Sequence, residues 1–205
     1  MIMPSEDDPR QVGTVWMLNL DQPLPDLTPI VNAKFQRIGL ETAVAIAESR
    51  GDGTIAEIRQ RFEIGRRCYA AWVDGELASY GWVSFDEEFV GELNLQLRFL
   101  PGEAYIWDCA TKPAFRQNHL YSSLLVHIAE ELQAENICRI WIGADRNNVA
   151  SHRGIARAGF RSIADLLVAR DPGLHQYWAK GKPGVPESLV AEARRVYLGN
   201  REIDP

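Results

Sequence analysis

Cysteine is scarce in this chain of 205 residues. There are three, Cys68, Cys109 and Cys138, an odd number with no Cys-x-x-Cys spacing. That excludes a disulfide framework and a cysteine-based zinc site, and reads as buried free thiols in a reducing compartment. Histidine is almost as sparse. His119, His127, His152 and His175 are scattered, and no His-Glu-x-x-His pattern brings two of them onto one helix face, so no metal is expected. An excess of positive charge is also missing. With 22 Lys and Arg against 28 Asp and Glu the net charge is −6, which argues against a nucleic-acid or anionic-membrane surface. The arginine pairs Arg66–Arg67 and Arg194–Arg195 read as solvated faces. No apolar run approaches the length of a membrane-spanning helix. The acidic start, MIMPSEDDPR, lacks the basic-then-apolar order of a signal peptide, so a cytoplasmic location is expected. There is no internal repeat and no low-complexity segment.

What is present is an ordinary globular composition, 46% hydrophobic, enough for one sizeable core. Residues 1–30 are rich in Pro and Asp around one short apolar run, Val15–Leu20, and read as an extension with an edge strand. Val31–Ile38 reads as a core strand. Glu41–Ser49 and Thr54–Ile64 read as helices broken by the Gly51-Asp52-Gly53 turn. Cys68–Val73 and Leu77–Phe85 flank Asp74-Gly75, a hairpin with type I′ preference. Phe89–Leu100 alternates in part and reads as a further strand. Ala104–Thr111 is a strand with a polar intrusion, Asp108. Helix Asn118–Ala134 carries an apolar stripe, Leu120, Leu124, Ile128 and Leu132. Strand Ile137–Ile142, helix Asn148–Ala158 ended by Gly159, and strand Phe160–Arg170 follow. After Pro172 comes a tail, residues 173–205, with a helix at Glu187–Leu198. Hairpin-built strands joined to a crossover predict a mixed α/β (α+β-type) fold, with a mostly antiparallel central sheet flanked by helices. The crossover predicts parallel pairing of Ala104–Thr111 with Ile137–Ile142.

The most informative stretch is Thr111–Leu125, TKPAFRQNHLYSSLL. A strand, a loop bearing Arg116 and a helix N-terminus make a place for a phosphate, because first-turn amides lack internal partners and the helix dipole adds positive charge. This order of elements and motifs resembles the GNAT acyltransferase superfamily over roughly residues 31–170. That family's phosphate signature is Arg/Gln-x-x-Gly-x-Gly/Ala, often with a proline three residues before it. Pro113 through Arg116 match its leading part, while His119 and Tyr121 stand where the family has small residues. A second signature, an Asn, a small residue three on and a closing Gly-Phe, is matched by Asn148, Ser151 and Gly159-Phe160. The resemblance implies a GNAT-like domain over residues 31–172 and acetyl-CoA, or another acyl-CoA, as co-substrate. It implies acyl transfer to a primary amine, on a small molecule or a protein, by direct attack in a ternary complex. A homodimer is compatible with the sequence.

By the same resemblance, Cys109, Ala110, Thr111, Arg116, Gln117, Asn118, His119, Leu120, Tyr121, Ser122, Asn148 and Ser151 line the acyl-CoA. A backbone N–H near Cys109 or Ala110 serves as oxyanion donor. Asp108 lies on the strand beside the thioester and is the candidate general base, because a carboxylate between Trp107 and Cys109 is costly to bury unless paired. An ion pair with a nearby arginine is the equal alternative. Plain alternation puts Tyr105, Trp107 and Cys109 on one face and Ile106, Asp108 and Ala110 on the other. Many relatives carry a tyrosine acid where this chain has Ile155; water, or a tyrosine elsewhere, would have to serve. Arg116 also reads as a solvated surface residue and Asn148 as a helix N-cap. Trp72, Tyr80, Trp82 and Trp107 read as core, and Asp86–Glu88 with Glu92 as either a solvated loop or an attractor for a cationic amine. The alternative function is a non-catalytic ligand-binding or interaction module that has lost acetyl-CoA turnover.

Overall fold

In the computed structural model, which describes residues 10–50, 54–171 and 174–199, one eight-stranded sheet organises the molecule. The strands are β1 (Arg10–Asn19), β2 (Lys34–Ile38), β3 (Arg67–Val73), β4 (Glu76–Ser84), β7 (Glu103–Thr111), β8 (Arg139–Asp145), β9 (Arg161–Asp171) and β10 (Leu174–Gly181). Their spatial order is β10-β9-β1-β8-β7-β4-β3-β2. Only β7 and β8 run parallel, joined by the crossover helix α3 (Leu120–Ala134); all other pairs are antiparallel. A two-stranded ribbon, β5 (Glu87–Val90) and β6 (Leu95–Arg98), stands apart from the main sheet.

The expected strand layout is corrected at three places. β1 is not at an edge: it pairs with β8 on one side and β9 on the other. Its side chains show why, since Val15 and Met17 enter the core on one face while Trp16 and Leu18 pack on the other. A strand buried on both faces reads as a continuous apolar run rather than an alternating one. The stretch expected as one strand, Phe89–Leu100, breaks into β5, a short 3-10 turn at Gly91–Leu93 and β6, because Asn94 takes a left-handed conformation (φ 51°). The tail after residue 173 begins with an eighth strand, β10, before α5 (Glu187–Leu198). The expected Gly51-Asp52-Gly53 turn lies outside the described residues. The Asp74-Gly75 hairpin has positive φ at both residues, as a type I′ turn requires.

Helices cover both faces. α3 and α4 (Val149–Arg157) bury Leu124, Leu125, Ile128, Leu132 and Ile155 against Ile106, Ile140 and Ile142. On the other face α1 (Ala43–Arg50) and α2 (Ile55–Glu63) pack Ile46 and Ile58 over Cys68, Tyr80 and Trp82. Beside them α5 and the β5–β6 ribbon cover Met17, Tyr105, Trp141 and Leu166. Thr54 starts α2 with a reciprocal capping box to Glu57. Of the cysteines, Cys68 is buried, but Cys138 lies at the surface rather than inside.

A buried carboxylate ties α5 to the start of the parallel pair. Glu103, 5% exposed, accepts from Arg195 Nη2 at 2.7 and 2.8 Å, from Arg139 Nη1 at 3.2 Å and from the Leu100 amide at 2.9 Å. Burial pushes its pKa up, but the Leu100 amide and Arg195 outweigh that and hold it below the ordinary 4.5. A carboxyl with a depressed folded pKa stabilises the fold above its unfolded pKa and loses that contribution as pH falls through the folded value. Glu103→Gln is therefore expected to cost about 3 kcal/mol in denaturant unfolding at neutral pH. The wild type should lose melting temperature more steeply than the variant as pH drops below 4.5. Parallel pH curves would show that Glu103 contributes no such term.

Candidate functional site

The site begins with a parting of strands. β7 and β8 are paired from Glu103↔Arg139 to Ile106↔Ile142. Beyond that β7 continues to Thr111 and β8 to Asp145 without pairing to each other. On its other side β7 stays bonded to β4, but with a shift: Trp82 faces Trp107 and Tyr80 faces Ala110. Asp108 and Cys109 together therefore oppose the single Gly81, a β-bulge with Asp108 at φ 43°. Gly81 makes the room, since a Cβ there would lie 2.8 Å from Cys109 Sγ.

The bulge overturns plain alternation. Cys109 packs with Ile106 on the α3 face, while Ala110 and Trp107 pack on the face of α1 and α2. Burial drives the Cys109 thiol far above its ordinary pKa, so it is a structural sulfur. Asp108 is met by Arg61 from α2, and the two form an ion pair through Nη1 and Oδ2. The Arg61 guanidinium lies 4.5 Å from the Trp107 ring centroid and 5.1 Å from that of Trp82, which fixes it over the sheet. The arginine that competes for Asp108 in the sequence reading is thus present, and it is Arg61.

A cleft of about 770 Å³ opens on this face. Asp108, Trp107, Tyr105 and Tyr197 form its floor together with Gly143 and Ala144 of β8, and Glu88, Phe89 and Glu92 of the ribbon rim it. Glu88 is itself buried, accepting from Ser84 Oγ at 2.5 Å and ion-paired with Arg66, whose Nε lies 2.8 Å away, and Ser84 Oγ accepts from Trp107 Nε1 at 2.8 Å. Glu88, Glu92, Asp108 and Asp145 line the cleft, with Glu88 paired to Arg66 and Asp108 to Arg61. Sequence reasoning pointed to Asp108 and, as one of two readings, to the acidic loop; it took Trp107 as core and missed Arg61, Tyr105 and Tyr197. Nothing in α2 or α5 marks Arg61 or Tyr197 as more than ordinary amphipathic-helix residues.

On the opposite face lies the loop into α3. After the 3-10 turn Pro113–Phe115, Gln117 and His119 both take positive φ (66° and 60°), and α3 starts at Leu120. His119 adopts the left-handed conformation that glycine takes without strain. Asn118 braces the loop, its Nδ2 donating to the carbonyls of Phe115 (3.2 Å) and Arg116 (3.3 Å). Ser123 N–H makes the first helical bond, to His119 O. The amides of Gln117 through Ser122 meet no acceptor among the described residues, and the His119 side chain does not cap the helix. A row of free amides at a helix start, with left-handed residues between them, is a concave anion cradle. Arg116 is exposed at its rim, with Nε donating to Thr111 O at 3.3 Å.

Tyr121 is the second residue of α3, so its backbone needs no glycine. Its ring turns sideways onto Gly154 of α4, and its hydroxyl lies 3.3 Å from Ser151 Oγ. Asn148 is the N-cap of α4, accepting from Ser151 N–H at 3.0 Å. Thr111 Oγ1 and the Ala110 carbonyl are tied to β4 through Ser79 Oγ, each at 2.9 Å. Ile155 is fully buried in the core.

A splayed parallel pair, a bulged strand and an amide cradle at the crossover helix define the acyl-CoA acyltransferase fold, and solved structures agree. A GNAT-family acetyltransferase from Colwellia psychrerythraea superposes with a TM-score of 0.58 at 16% identity, covering 85% of this chain and 57% of its own. An N-acetyltransferase from Staphylococcus aureus Mu50 gives 0.54 at 16% identity, covering 72% and 95%. The ribosomal-protein-S18-alanine N-acetyltransferase from Escherichia coli gives 0.51 at 14% identity, covering 66% and 81%. No curated protein sequence matches the chain. The acetyltransferase (GNAT) family model matches residues 30–160, well over half of the chain, and the protein belongs to that family.

The left-handed turn gives a direct test of the cradle. His119→Gly should change stability by less than about 1 kcal/mol, whereas β-branched His119→Val should cost about 2 kcal/mol. Equal unfolding midpoints for the two variants would mean that residue 119 is not held at positive φ.

Proposed function

We propose that the protein is an N-acyltransferase that moves an acetyl or other acyl group from acyl-CoA to a primary amine. The observation that carries this reading is the row of unpartnered amides from Gln117 to Ser122 at the start of α3. It lies next to a parted strand pair whose far side opens into an acidic cleft. The residues fit the co-substrate at its pyrophosphate end. The amides and Arg116 would hold the phosphates, and Asn118 keeps the loop in the shape that presents them. Family membership supports acetyl-CoA as the donor.

An acyl-CoA supplies an activated thioester; the chain supplies placement and charge. The edge of β7 beyond Ile106 lacks a β8 partner, so its main chain can face a ligand laid in the gap. The amide of Cys109 or Ala110 is the candidate donor to the thioester carbonyl. The acceptor amine approaches from the cleft, where Trp107, Tyr105 and Phe89 offer aromatic surface and Glu92 and Asp145 a negative field that attracts an ammonium. Asp108 takes the amine proton, directly or through water. Arg61 holds that carboxylate in place, and an incoming ammonium must share it with the arginine. Both substrates held at one gap convert a bimolecular reaction into a local one. Ile155 leaves no hydroxyl at the position where many relatives carry an acid, but a thiol with pKa of about 8.5 is a tolerable leaving group.

Acetyl-CoA titrated into the wild type should release measurable heat, and Arg116→Ala should bind roughly tenfold more weakly. A wild type silent at high micromolar ligand would remove the reading. Asp108→Asn is expected to lower kcat on a competent amine by roughly 10²–10⁴-fold with acetyl-CoA binding retained. Unchanged turnover would leave Asp108 as the structural partner of Arg61. Coenzyme A binding with no thiol release across a broad amine panel would favour a non-catalytic module instead.

A further inference from the structure

The slot that holds Tyr121 is made by a missing side chain. Gly154 sits inside α4, where glycine weakens a helix relative to alanine, and its φ is not positive, so its backbone gives no reason for glycine. Close approach does. A Cβ at residue 154 would lie 2.4 Å from Tyr121 Cδ1 and 2.8 Å from Cε1. These are atoms of the rigid ring, not the tip of a flexible chain, so the ring cannot stay where it is if the Cβ is added. The far end of the ring is anchored as well, with the hydroxyl 3.3 Å from Ser151 Oγ and its pKa raised by burial.

Helical side chains lean toward the N-terminus and cover the turn before their own Cα. For Tyr121 that turn is the cradle, and the amides of Gln117 to Leu120 lie there without acceptors. Parked against α4, the large ring at this position leaves the cradle open.

We propose that Gly154 is a positioning residue for the anion cradle: by leaving a slot for the Tyr121 ring, it keeps that ring off the amides of Gln117 to Leu120 and so sets the affinity for a pyrophosphate-bearing ligand. The inference rests on the acyl-CoA reading above. It assigns to Gly154 a role outside every set of site residues named so far, and it explains how a chain with tyrosine in place of a small residue keeps its amides free. The role is indirect, since Gly154 touches the ring and not the ligand.

The test is a double-mutant cycle on the full chain with two readouts, coenzyme A affinity by calorimetry and melting temperature without ligand. Gly154→Ala is expected to weaken coenzyme A binding by roughly tenfold or more and to lower the melting temperature by about 4 °C. In the Tyr121→Ala background the same Gly154→Ala change should neither weaken binding nor lower the melting temperature, because the clash is gone. The double variant should therefore bind roughly tenfold more tightly than Gly154→Ala alone. Folded Gly154→Ala that binds like the wild type would overturn the proposal, as would a double variant no tighter than Gly154→Ala. A wild type that binds no coenzyme A while the stability coupling between the two positions persists would overturn the acyl-CoA reading, and the proposal with it. The ligand-free melting data separate that outcome from a misplaced ring.

Discussion

β7 keeps its bonds to β8 only from Glu103 to Ile106, and the cause is one extra residue. Asp108 and Cys109 share the place opposite Gly81, so β7 bends away from β8 while remaining fastened to β4. A bulge leaves a residue unpaired, raises the local twist and re-aims the side chains that follow. All three consequences are used here. The strand pair opens, Cys109 is sent into the α3 core, and Asp108 is delivered to the opposite face, where Arg61 meets it. A β7 of regular alternation would turn Asp108 and Ala110 onto the α3 face with Ile106, away from Arg61.

The bulge needs support on both sides. Below it, Glu103 and its arginines tie β7 and β8 to α5, fixing the point from which the strands diverge. Beside it, Ser79 Oγ holds the Ala110 carbonyl and Thr111 Oγ1. On the cleft face a chain of hydrogen bonds and an ion pair runs from Trp107 through Ser84 to Glu88 and Arg66, which orients the indole and ties the rim of the ribbon to the sheet. Buried polar networks of this kind are costly unless satisfied, and they favour one arrangement of the core when they are.

The sequence declared the crossover half of this fold more clearly than its flanks. The four-residue stripe on α3 is periodic over its whole length, Asn148 caps α4, and Asp74-Gly75 can hardly be anything but a tight hairpin turn. The errors have local causes. Val15–Leu20 is an apolar run broken only by Asn19, the mark of a strand buried on both faces, but the Pro- and Asp-rich residues around it read as an extension with an edge strand. Asn94 hides a chain reversal inside an alternating stretch, since asparagine tolerates the left-handed region without advertising it. The bulge cannot be read from pattern, because it breaks the period on which face assignments rest. For the candidate site, the loop at Arg116 and the carboxylate at Asp108 were visible as a polar intrusion and a helix start. Arg61 and Tyr197 were not, because they come from helices that only the tertiary fold brings to the cleft.

The gap has two unlike ends, and their difference gives a direction to anything bound across it. The start of α3 presents free amides and the positive end of a helix dipole, with Arg116 at the rim. The cleft on the other face presents Glu88, Glu92, Asp108 and Asp145 with Arg61 as the only cation among its lining residues. On the proposed function, a ligand with a polyanionic head and an uncharged arm would be held head-first in the cradle and repelled from the cleft. A cationic amine would be drawn to the cleft and repelled from the cradle. Opposite fields on the two sides of the parted strands would then sort two such molecules and leave them to meet where β7 bulges. Neither field extends far past a Debye length of about 8 Å in physiological salt, so the sorting acts at the mouths themselves, where each molecule must shed water to enter.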